Sequence, residues 1–317
     1  MESLVELVRV RSWDDYIGQT RLKTSLDIKV RAAVEEDRMF DHTLFVAPPG
    51  SGKTTLVELL AERLQDELLT LPMPMKVTDF MYELECFCGG IVFLDELHNA
   101  PPAFQEVLQR AINDGYISDR YGERVDTDHI TFIGATTTDE QKKLLGPLVE
   151  RFKYRPSWDP YSDAEMTQIV AGMAHRSGTD IPEAVCEHLG RCAGGNPRAV
   201  QDLVASARDL AAVGEDVTVA GVLSLAGLDS DGLNQRHIQY LEVLHAVGGT
   251  AGMTVLSNML GMNTQSVQDV ERLLLMRGFV RLTPHGRRLL QPGLAKVNRA
   301  AGGARDPIAA RRQRRSA

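Results

Sequence analysis

The stretch APPGSGKTTLVELL, from Ala47 to Leu60, decides the fold of this 317-residue chain. The residues that lead into it, TLFVA (Thr43–Ala47), are apolar and partly β-branched, which predicts a buried strand. From Lys53 onward, leucines recur at helical spacing, which predicts a helix. The turn between them, Pro-Pro-Gly-Ser-Gly, can point backbone N–H groups at an anion, and the helix N-terminus adds partial positive charge. The stretch therefore predicts a phosphate-binding loop.

The side chains of this loop have the chemistry that a nucleoside triphosphate requires. The loop follows the pattern G-x-x-x-x-G-K-[ST], except that Ala47 replaces the first glycine. We expect little harm from this change, because alanine is small and the position ends a strand. Lys53 can reach the β- and γ-phosphates, and the hydroxyl of Thr54 can bind Mg²⁺.

Composition limits the classes of protein that fit this chain. The net charge of −8 argues against a general polycation, so any contact with nucleic acid requires a local basic patch. The chain lacks an apolar run long enough for a membrane span, and MESLVELVRVRSW lacks the apolar core of a secretory signal, so we expect a cytoplasmic protein. The cysteines lack C-x₂-C spacing and are expected to be buried apolar groups rather than metal ligands; they are Cys86, Cys88, Cys186 and Cys192.

Changes in pattern divide the chain into four predicted regions. Residues 1–158 form an α/β nucleotide-binding domain, and residues 159–229 form a small helical domain that begins with a helix-capping sequence at Ser162. Residues 230–298 combine helices with GFVRLTPHGRRLL, which is typical of a two-stranded hairpin, so a winged-helix domain is predicted. Residues 299–317 contain six arginines and one aspartate, which predicts a disordered basic tail.

Two carboxylates follow the second apolar strand. In GGIVFLDELHNA, the strand Ile91–Leu94 is followed directly by Asp95 and Glu96. An aspartate at the tip of a strand can hold a metal, and a glutamate beside it can orient and deprotonate the attacking water. Because the pair comes about 40 residues after a phosphate loop, it predicts a hydrolytic site.

Hydroxyl groups end a third apolar strand, in HITFIGATTTDE (His129–Glu140). Polar groups at the tip of a central strand can contact the γ-phosphate or the water that attacks it. We assign this role to Thr137, with Thr136 as the close alternative. An ordinary threonine-rich turn is the other interpretation of this segment.

Two arginines are candidates for contact with phosphates. Arg151, in GPLVERFKYR, could stabilise the transferring phosphoryl group from across a subunit boundary, although a plain surface cation is the alternative. Arg198 lies in the first turn of a helix that begins at Pro197, where positive charge opposes the helix dipole. Bound ATP phosphates would compensate for that charge.

These parts, in this order, resemble an AAA+ ATPase with Walker A, Walker B, sensor 1, arginine finger and sensor 2 motifs. Blocks spanning about residues 8–290 are similar to the RuvB family, the motors of Holliday-junction branch migration. These blocks are DDYIGQ, DHTLFVAPPGSGKTTL, VFLDELHNA, FIGATTTDE, PLVERF, GNPRA, AGLDSDGL and GFVRLTPHGR. The resemblance implies an AAA+ P-loop core, a helical lid domain, a winged helix and a hexameric ring that uses ATP to pull duplex DNA.

The resemblance also assigns roles to residues of this chain. The residues against the base and sugar would be Arg9, Tyr16 and Ile17. The residues that cradle the phosphates would be Gly50, Ser51, Gly52, Lys53, Thr54 and Thr55. The residues that close over the nucleotide would be Tyr161 and Arg198. The residues at the reacting groups would be Thr54 and Asp95 for Mg²⁺, Glu96 for water, Thr137 for the γ-phosphate and Arg151 for a neighbour's ATP.

The winged helix is the predicted DNA-binding region. Residues 234–298 contain seven Lys/Arg and three Asp/Glu, a local charge of +4. The resemblance implies that Arg287 contacts the DNA backbone, and Arg281 and Arg288 are the neighbouring candidates. The family has an arginine where this chain has Leu282, so Arg281, one place earlier, is expected on the opposite face of the strand. Protein contacts are the alternative use of this domain.

Two other positions depart from the family. Proteins of the RuvB family carry a longer hairpin at the place of DGYISDRYGERVDTDHITF, and that hairpin docks the junction-recognising partner RuvA. This segment is several residues shorter and more charged, so a RuvA-type partner is expected to be different, rebuilt or absent. The family also has proline where this chain has Val10.

Two hypotheses for the function follow. The first is an ATP-dependent DNA translocase that drives branch migration of Holliday junctions in recombination and repair. The second is a nucleotide-switched loader or scaffold that binds a partner and hydrolyses ATP slowly. A protein-unfolding AAA+ machine is disfavoured, because no aromatic-hydrophobic pore loop of the usual kind and no substrate-receptor domain can be identified in the sequence.

Overall fold

The structure, a computed structural model, describes residues 4–118, 122 and 124–303. These residues form two compact units, one of residues 4–178 with 195–201 and one of residues 179–194 with 202–303. The units do not follow the predicted boundaries at residues 158 and 229, so the division into three domains stays a prediction. No helix among the described residues is both long and apolar enough to cross a bilayer.

A four-stranded parallel sheet forms the centre of the first unit. Its strands are β1 (Thr43–Val46), β2 (Leu68–Pro72), β3 (Gly90–Asp95) and β6 (Ile130–Thr136), and their spatial order is β1-β6-β3-β2. A separate antiparallel hairpin contains β4 (Tyr116–Ser118) and β5 (Arg124–Asp126). The strands β1, β3 and β6 were predicted from their apolar sequences, whereas β2 was not.

Helices pack on both faces of this sheet. The helices of the first unit are α1 (Leu4–Leu7), α2 (Thr20–Glu35), α3 (Lys53–Leu64), α4 (Val77–Cys86), α5 (Pro102–Asp114), α6 (Gly146–Arg151) and α7 (Asp163–Arg176). Successive residues of β3 enter opposite cores: Val92 and Leu94 pack with α4 and α5, whereas Ile91 and Phe93 pack with α2 and α3. Because both faces are covered, the central strands β3 and β6 are mainly apolar.

The register of the sheet aligns the ends of its strands. Val46 pairs with Thr136, and Leu94 pairs with Gly134. Neighbouring strands lie about 4.8 Å apart. The loop after β1, the carboxylates at the end of β3 and the threonines at the end of β6 therefore lie at one edge of the sheet.

The second unit contains helices and a small antiparallel sheet. Its helices are α8 (Glu183–Cys192), most of α9 (Pro197–Ala212), α10 (Val219–Leu225), α11 (Gln235–Ala246), α12 (Met253–Leu260), α13 (Thr264–Met276) and α14 (Gln291–Gly303). Its strands are β7 (Thr250–Ala251), β8 (Val280–Thr283) and β9 (Gly286–Leu289), in the order β7-β9-β8. The predicted winged helix is confirmed, with β8 and β9 as its hairpin.

Two predictions need correction, one about the C-terminal tail and one about the burial of the cysteines. The backbone of residues 299–303 continues α14, where disorder was expected, because alanine in this stretch favours helix. The rest of the predicted tail, residues 304–317, lies outside the described residues. Cys186 and Cys192 are buried as expected, whereas Cys86 and Cys88 are exposed at the end of α4.

Candidate active site

The loop between β1 and α3 is shaped by two glycines with left-handed backbones. Gly50 has φ 75° and Gly52 has φ 96°. A Cβ at Gly50 would lie 2.3 Å from Oδ1 of Asn196, and one at Gly52 would lie 2.8 Å from the hydroxyl of Tyr16. The absence of these Cβ atoms lets other groups approach the loop closely while it presents the N-terminus of α3, at Lys53, to an anion.

Lys53 is held inside this loop. Its side chain is buried, and Nζ donates hydrogen bonds to the carbonyl oxygens of Ala47 at 3.0 Å and Pro48 at 3.1 Å. Burying an ammonium group is costly unless polar partners surround it. The two carbonyl oxygens therefore keep the charge at the loop, where phosphate oxygens would also be attracted to it.

Two buried hydroxyl groups near the loop have no hydrogen-bond partner among the described residues. They are Oγ of Ser51, in the loop itself, and Oγ1 of Thr137, directly after β6. Leaving such a group unsatisfied costs about 1–3 kcal/mol, and buried polar groups in native proteins nearly always have a partner. Phosphate oxygens would satisfy both hydroxyls, so these orphaned atoms fit a bound nucleotide.

Two tyrosines bind the loop. The hydroxyl of Tyr16 lies 3.3 Å from the carbonyl oxygen of Gly52 and 3.3 Å from the hydroxyl of Tyr161, which donates to the carbonyl of Ser51 at 3.0 Å. Burial raises the pKa of both phenols, and the proximity of Tyr161 raises that of Tyr16 further. Both tyrosines therefore remain neutral hydrogen-bond donors at neutral pH.

A cleft of about 410 Å³ opens beside the loop, which is a size suited to a small-molecule ligand. The predicted site residues that line it are Arg9, Tyr16, Ile17, Gly50, Ser51, Gly52, Lys53, Thr54, Thr55, Asp95, Glu96, Tyr161 and Arg198. Two predicted residues are not among those that line it. Thr137 lies at the end of β6, and Arg151 is exposed in the last turn of α6.

The two carboxylates have different environments. Oδ1 of Asp95, at the end of β3, accepts a hydrogen bond from the backbone N–H of Glu96 at 2.9 Å. Glu96 has φ 52°, a left-handed conformation that is uncommon for residues other than glycine and is often found at functional sites. Its Oε2 lies 3.2 Å from Nε2 of His98. The turn thus places both carboxylates at the cleft.

The start of α9 is anchored to the phosphate loop. The backbone N–H of Arg198 donates to the carbonyl oxygen of Gly50 at 3.3 Å and to Oδ1 of Asn196 at 3.0 Å. The helix begins at Pro197, as predicted, and Arg198 is exposed at the cleft. This position supports the predicted contact of Arg198 with phosphate.

Several residues that line the cleft were not predicted from the sequence, among them Glu58 and Arg176, whereas their neighbour Arg9 was. Arg9 forms ion pairs with Glu58, at 2.8 Å between Nη2 and Oε1, and with Glu6. Arg176, at the end of α7, donates from Nε to the carbonyl oxygen of Val8 at 3.0 Å. Burial lowers the pKa of this guanidinium. No local pattern reveals the contact of Arg9 with Glu58 or that of Arg176 with Val8, since these partners lie far apart in the sequence.

The wing in the second unit contains a separate group of predicted residues. In the β8–β9 register, Arg281 lies directly opposite Arg288, whereas Leu282 lies opposite Arg287. Arg281 and Arg287 therefore face opposite sides of the hairpin, as the one-place shift in sequence predicted. Arg281 and Arg288 are exposed, and neither side chain has a hydrogen bond or ion pair with another described residue.

Arg287 is bound within the second unit. Its Nε donates to Oε2 of Glu271 at 2.8 Å, and the hydroxyl of Tyr240 donates to the same oxygen at 3.0 Å. Glu271 and Tyr240 are buried. Burial and the carboxylate of Glu271 raise the pKa of the Tyr240 hydroxyl. The charge of Arg287 is thus compensated, whereas no described residue compensates those of Arg281 and Arg288.

Family models match both parts of this architecture. The model described as the Holliday junction DNA helicase RuvB P-loop domain matches residues 8–157, and the RuvB C-terminal winged helix domain matches residues 230–298. The matches thus include the phosphate loop, the carboxylates and the wing.

Relatives over nearly the full length of the chain agree with the family models. A Holliday junction branch migration complex subunit RuvB from Campylobacter curvus is 31% identical over 316 residues and 93% of each chain. The RuvB from Oenococcus oeni is 33% identical over 87% of each chain. The solved structure of the Thermotoga maritima RuvB Holliday junction branch migration motor is 29% identical, with a TM-score of 0.81 over 92% of this chain and 98% of that one. With the P-loop site and the winged helix described above, these matches show that the chain belongs to the RuvB family and is a P-loop ATPase.

Proposed function

We propose that this ATPase is a motor that assembles as a hexameric ring and pulls duplex DNA to drive branch migration of Holliday junctions. The observation that carries the proposal is the exposed, uncompensated pair of Arg281 and Arg288 in a chain that also has an assembled nucleotide site. The relatives described above are named as branch migration subunits and a branch migration motor, which supports the same function.

The residues at the edge of the sheet have complementary roles in hydrolysis. Glu96 accepts a proton from the attacking water, and the unpartnered hydroxyl of Thr137 donates to the γ-phosphate. Lys53 neutralises the developing charge from within the loop. The hydroxyl of Thr54 and the carboxylate of Asp95 would hold Mg²⁺, which supplies positive charge to the β- and γ-phosphate oxygens.

Arg151 acts on a nucleotide in another copy of the chain. It is exposed, it is not among the residues lining the cleft of its own chain, and its side chain has no hydrogen bond or ion pair with another described residue. An arginine delivered in trans stabilises the charge on the transferring phosphoryl group. A head-to-tail contact repeated between copies gives a ring where its rotation closes, and both the closure and the number six follow from the family resemblance.

The wing contacts DNA phosphates through Arg281 and Arg288. Like charges directly opposite in a strand pair destabilise it, and a phosphate between or beside them removes that cost. The contact with a DNA phosphate that was predicted for Arg287 is assigned in this proposal to Arg288, because Nε of Arg287 is already bound to Glu271.

The β4–β5 hairpin is the proposed site for a junction-recognising partner. The guanidinium of Arg124 lies 3.9 Å from the ring centroid of Tyr116, and its Nε is bound to Asp126 at 2.8 Å. These side chains satisfy one another and present an exposed, polar surface. We therefore propose a partner contact that differs from that of a longer, less charged hairpin.

The test compares ATP hydrolysis with a four-way junction, with linear duplex and without DNA. A motor is stimulated by DNA and moves the branch point of a synthetic junction, with or without added RuvA-type protein, whereas Glu96→Gln abolishes both activities. Slow hydrolysis that is independent of DNA, with no strand movement, would instead identify a nucleotide-switched loader or scaffold.

A further inference from the structure

A buried histidine connects the carboxylate of Glu96 to the end of β6. His98 lies in a short turn, Leu97–Asn99, that follows β3. Its Nε2 is 3.2 Å from Oε2 of Glu96, and its Nδ1 is 3.1 Å from Oγ1 of Thr136. The side chain of His98 is 7% exposed, whereas that of Glu96 is 45% exposed. A fixed ring thus contacts a carboxylate that is otherwise half in solvent.

The chemistry of the three groups sets the direction of the hydrogen bonds. An ionised carboxylate can only accept, so Nε2 of His98 carries the proton that is donated to Glu96. In the neutral ring, Nδ1 is then an acceptor, and the hydroxyl of Thr136 donates to it. The other acceptor near that hydroxyl, the carbonyl oxygen of Thr137, is farther away at 3.5 Å. The result is a series of two hydrogen bonds, in which Thr136 donates to His98 and His98 donates to Glu96.

Glu96 needs such a support. A general base must lie within hydrogen-bond reach of the proton it removes, and a long side chain in solvent samples several rotamers. The unusual backbone of Glu96, with φ 52°, sets the direction in which the side chain leaves the turn, but not its rotamer. The hydrogen bond from His98 restricts the rotamer.

Thr136, at the other end of this hydrogen-bond series, lies in the region where phosphate is expected. The carbonyl oxygen of Thr136 accepts a hydrogen bond from the N–H of Ala47, at the start of the phosphate loop, at 3.1 Å. The next residue, Thr137, carries the orphaned hydroxyl assigned above to the γ-phosphate. The strand end that supports His98 is therefore the one that contacts nucleotide.

We infer that His98 is a positioning residue that holds the catalytic carboxylate of Glu96 and couples its orientation to the phosphate contact at the end of β6. The inference rests on the role proposed for Glu96 in hydrolysis. It goes beyond that role, because it makes the orientation of the base depend on His98 and on Thr136, neither of which needs to touch ATP.

The central experiment separates nucleotide binding from turnover. We expect His98→Ala to lower kcat by about 10–100-fold, by analogy with the loss found when a residue that orients a metal ligand is replaced. The dissociation constant for a slowly hydrolysed ATP analogue should remain within about twofold, because His98 is not among the residues lining the cleft. His98→Gln retains an N–H donor near the place of Nε2 and should recover part of the lost kcat.

A substitution at Thr136 provides an independent test that leaves the imidazole ring of His98 unchanged. Thr136→Val keeps the side-chain shape but removes the donor to His98, and it should lower kcat less than His98→Ala and add nothing in the His98→Ala background. The matched control is Thr131→Val in the same strand. Thr131 is also fully buried, but its hydroxyl donates to the carbonyl oxygen of Phe40, and its loss should leave kcat unchanged.

Glu96→Gln distinguishes failure of this inference from failure of the proposed base. If Glu96→Gln retains turnover, the role of Glu96 is wrong. If Glu96→Gln is inactive but Thr136→Val and His98→Gln hydrolyse ATP as fast as the unmodified protein or faster, the positioning role of His98 is overturned. Additive effects of His98→Ala and Thr136→Val would also overturn it. The comparison of Thr136→Val and His98→Gln with the unmodified protein remains informative if His98→Ala does not fold.

Discussion

The phosphate-binding loop of the first unit and the β8–β9 hairpin of the second both provide positive charge for phosphates. The charge is buried in the loop and exposed on the hairpin. Lys53 is 6% exposed and fixed by two carbonyl oxygens in a loop that the parallel sheet supports. Arg281 and Arg288 are exposed side by side on a two-stranded hairpin, without partners among the described residues.

This difference indicates two ways of using charge. A buried cation in a fixed loop suits one ligand in one geometry, so its removal should nearly abolish ATP turnover. Exposed cations suit a polymer that presents the same charge repeatedly, so their loss should weaken binding in steps that depend on salt. Substitutions in the two regions test whether they differ in this way.

The largest effect is expected at Lys53. Lys53→Ala should lower ATP turnover by about 10³-fold or more, because the substitution removes the charge at the β- and γ-phosphates. Steady-state hydrolysis and nucleotide binding measure the loss, and Lys142→Ala, at an exposed lysine outside the cleft, is the control. Substantial turnover in Lys53→Ala would contradict this role.

Arg151→Ala should spare ATP binding and lower kcat by about 10³-fold, the lower range measured for arginine fingers. Arg155→Ala, an exposed arginine four residues further along, should have little effect. Mixing the Arg151→Ala and Lys53→Ala proteins should restore part of the activity, since each supplies what the other lacks. Full hydrolysis by Arg151→Ala as an isolated monomer would exclude action in trans.

An intermediate effect, on stability, is expected at Arg287. Arg287→Met leaves the buried carboxylate of Glu271 without its cation, and unfolding free energy should fall by about 2 kcal/mol. This is less than the roughly 3–5 kcal/mol for a fully buried pair, because Arg287 is 18% exposed. Denaturant unfolding measures the change. Arg288→Met, at the adjacent exposed position, should change the unfolding free energy by less than about 0.5 kcal/mol. Equal losses of unfolding free energy in the two variants would show that the two arginines contribute alike to stability.

The smallest effects are expected at Arg281 and Arg288. Arg281→Gln and Arg288→Gln should each weaken binding to duplex DNA a few-fold and reduce the slope of log K against log[salt] by about 1. Neither should alter ATP turnover without DNA, because neither is among the residues that line the nucleotide cleft. An unchanged salt slope in the double variant would remove these residues from the DNA surface.

The elements predicted most securely are those whose signals are local. The strand, loop and helix around Lys53 follow from apolar runs on either side of a glycine turn. The start of α7 follows from its cap: Oγ of Ser162 accepts the N–H of Glu165 at 3.3 Å, and Oε2 of Glu165 accepts the N–H of Ser162 at 2.7 Å. By contrast, β2 was missed, since a short strand that is only partly buried has a weak pattern.

Local chemistry in the chain was therefore enough to establish the phosphate loop, the carboxylates after β3 and the winged-helix pattern, because each depends on residues within a few positions of one another. The contacts of His98, Arg176 and Arg287 became visible only in three dimensions. Their partners are Thr136, Val8 and Glu271, which strand register and helix packing bring close. Hydrogen bonds depend on distance in space, and one residue pattern is compatible with many such pairings until the sheet and helices assemble.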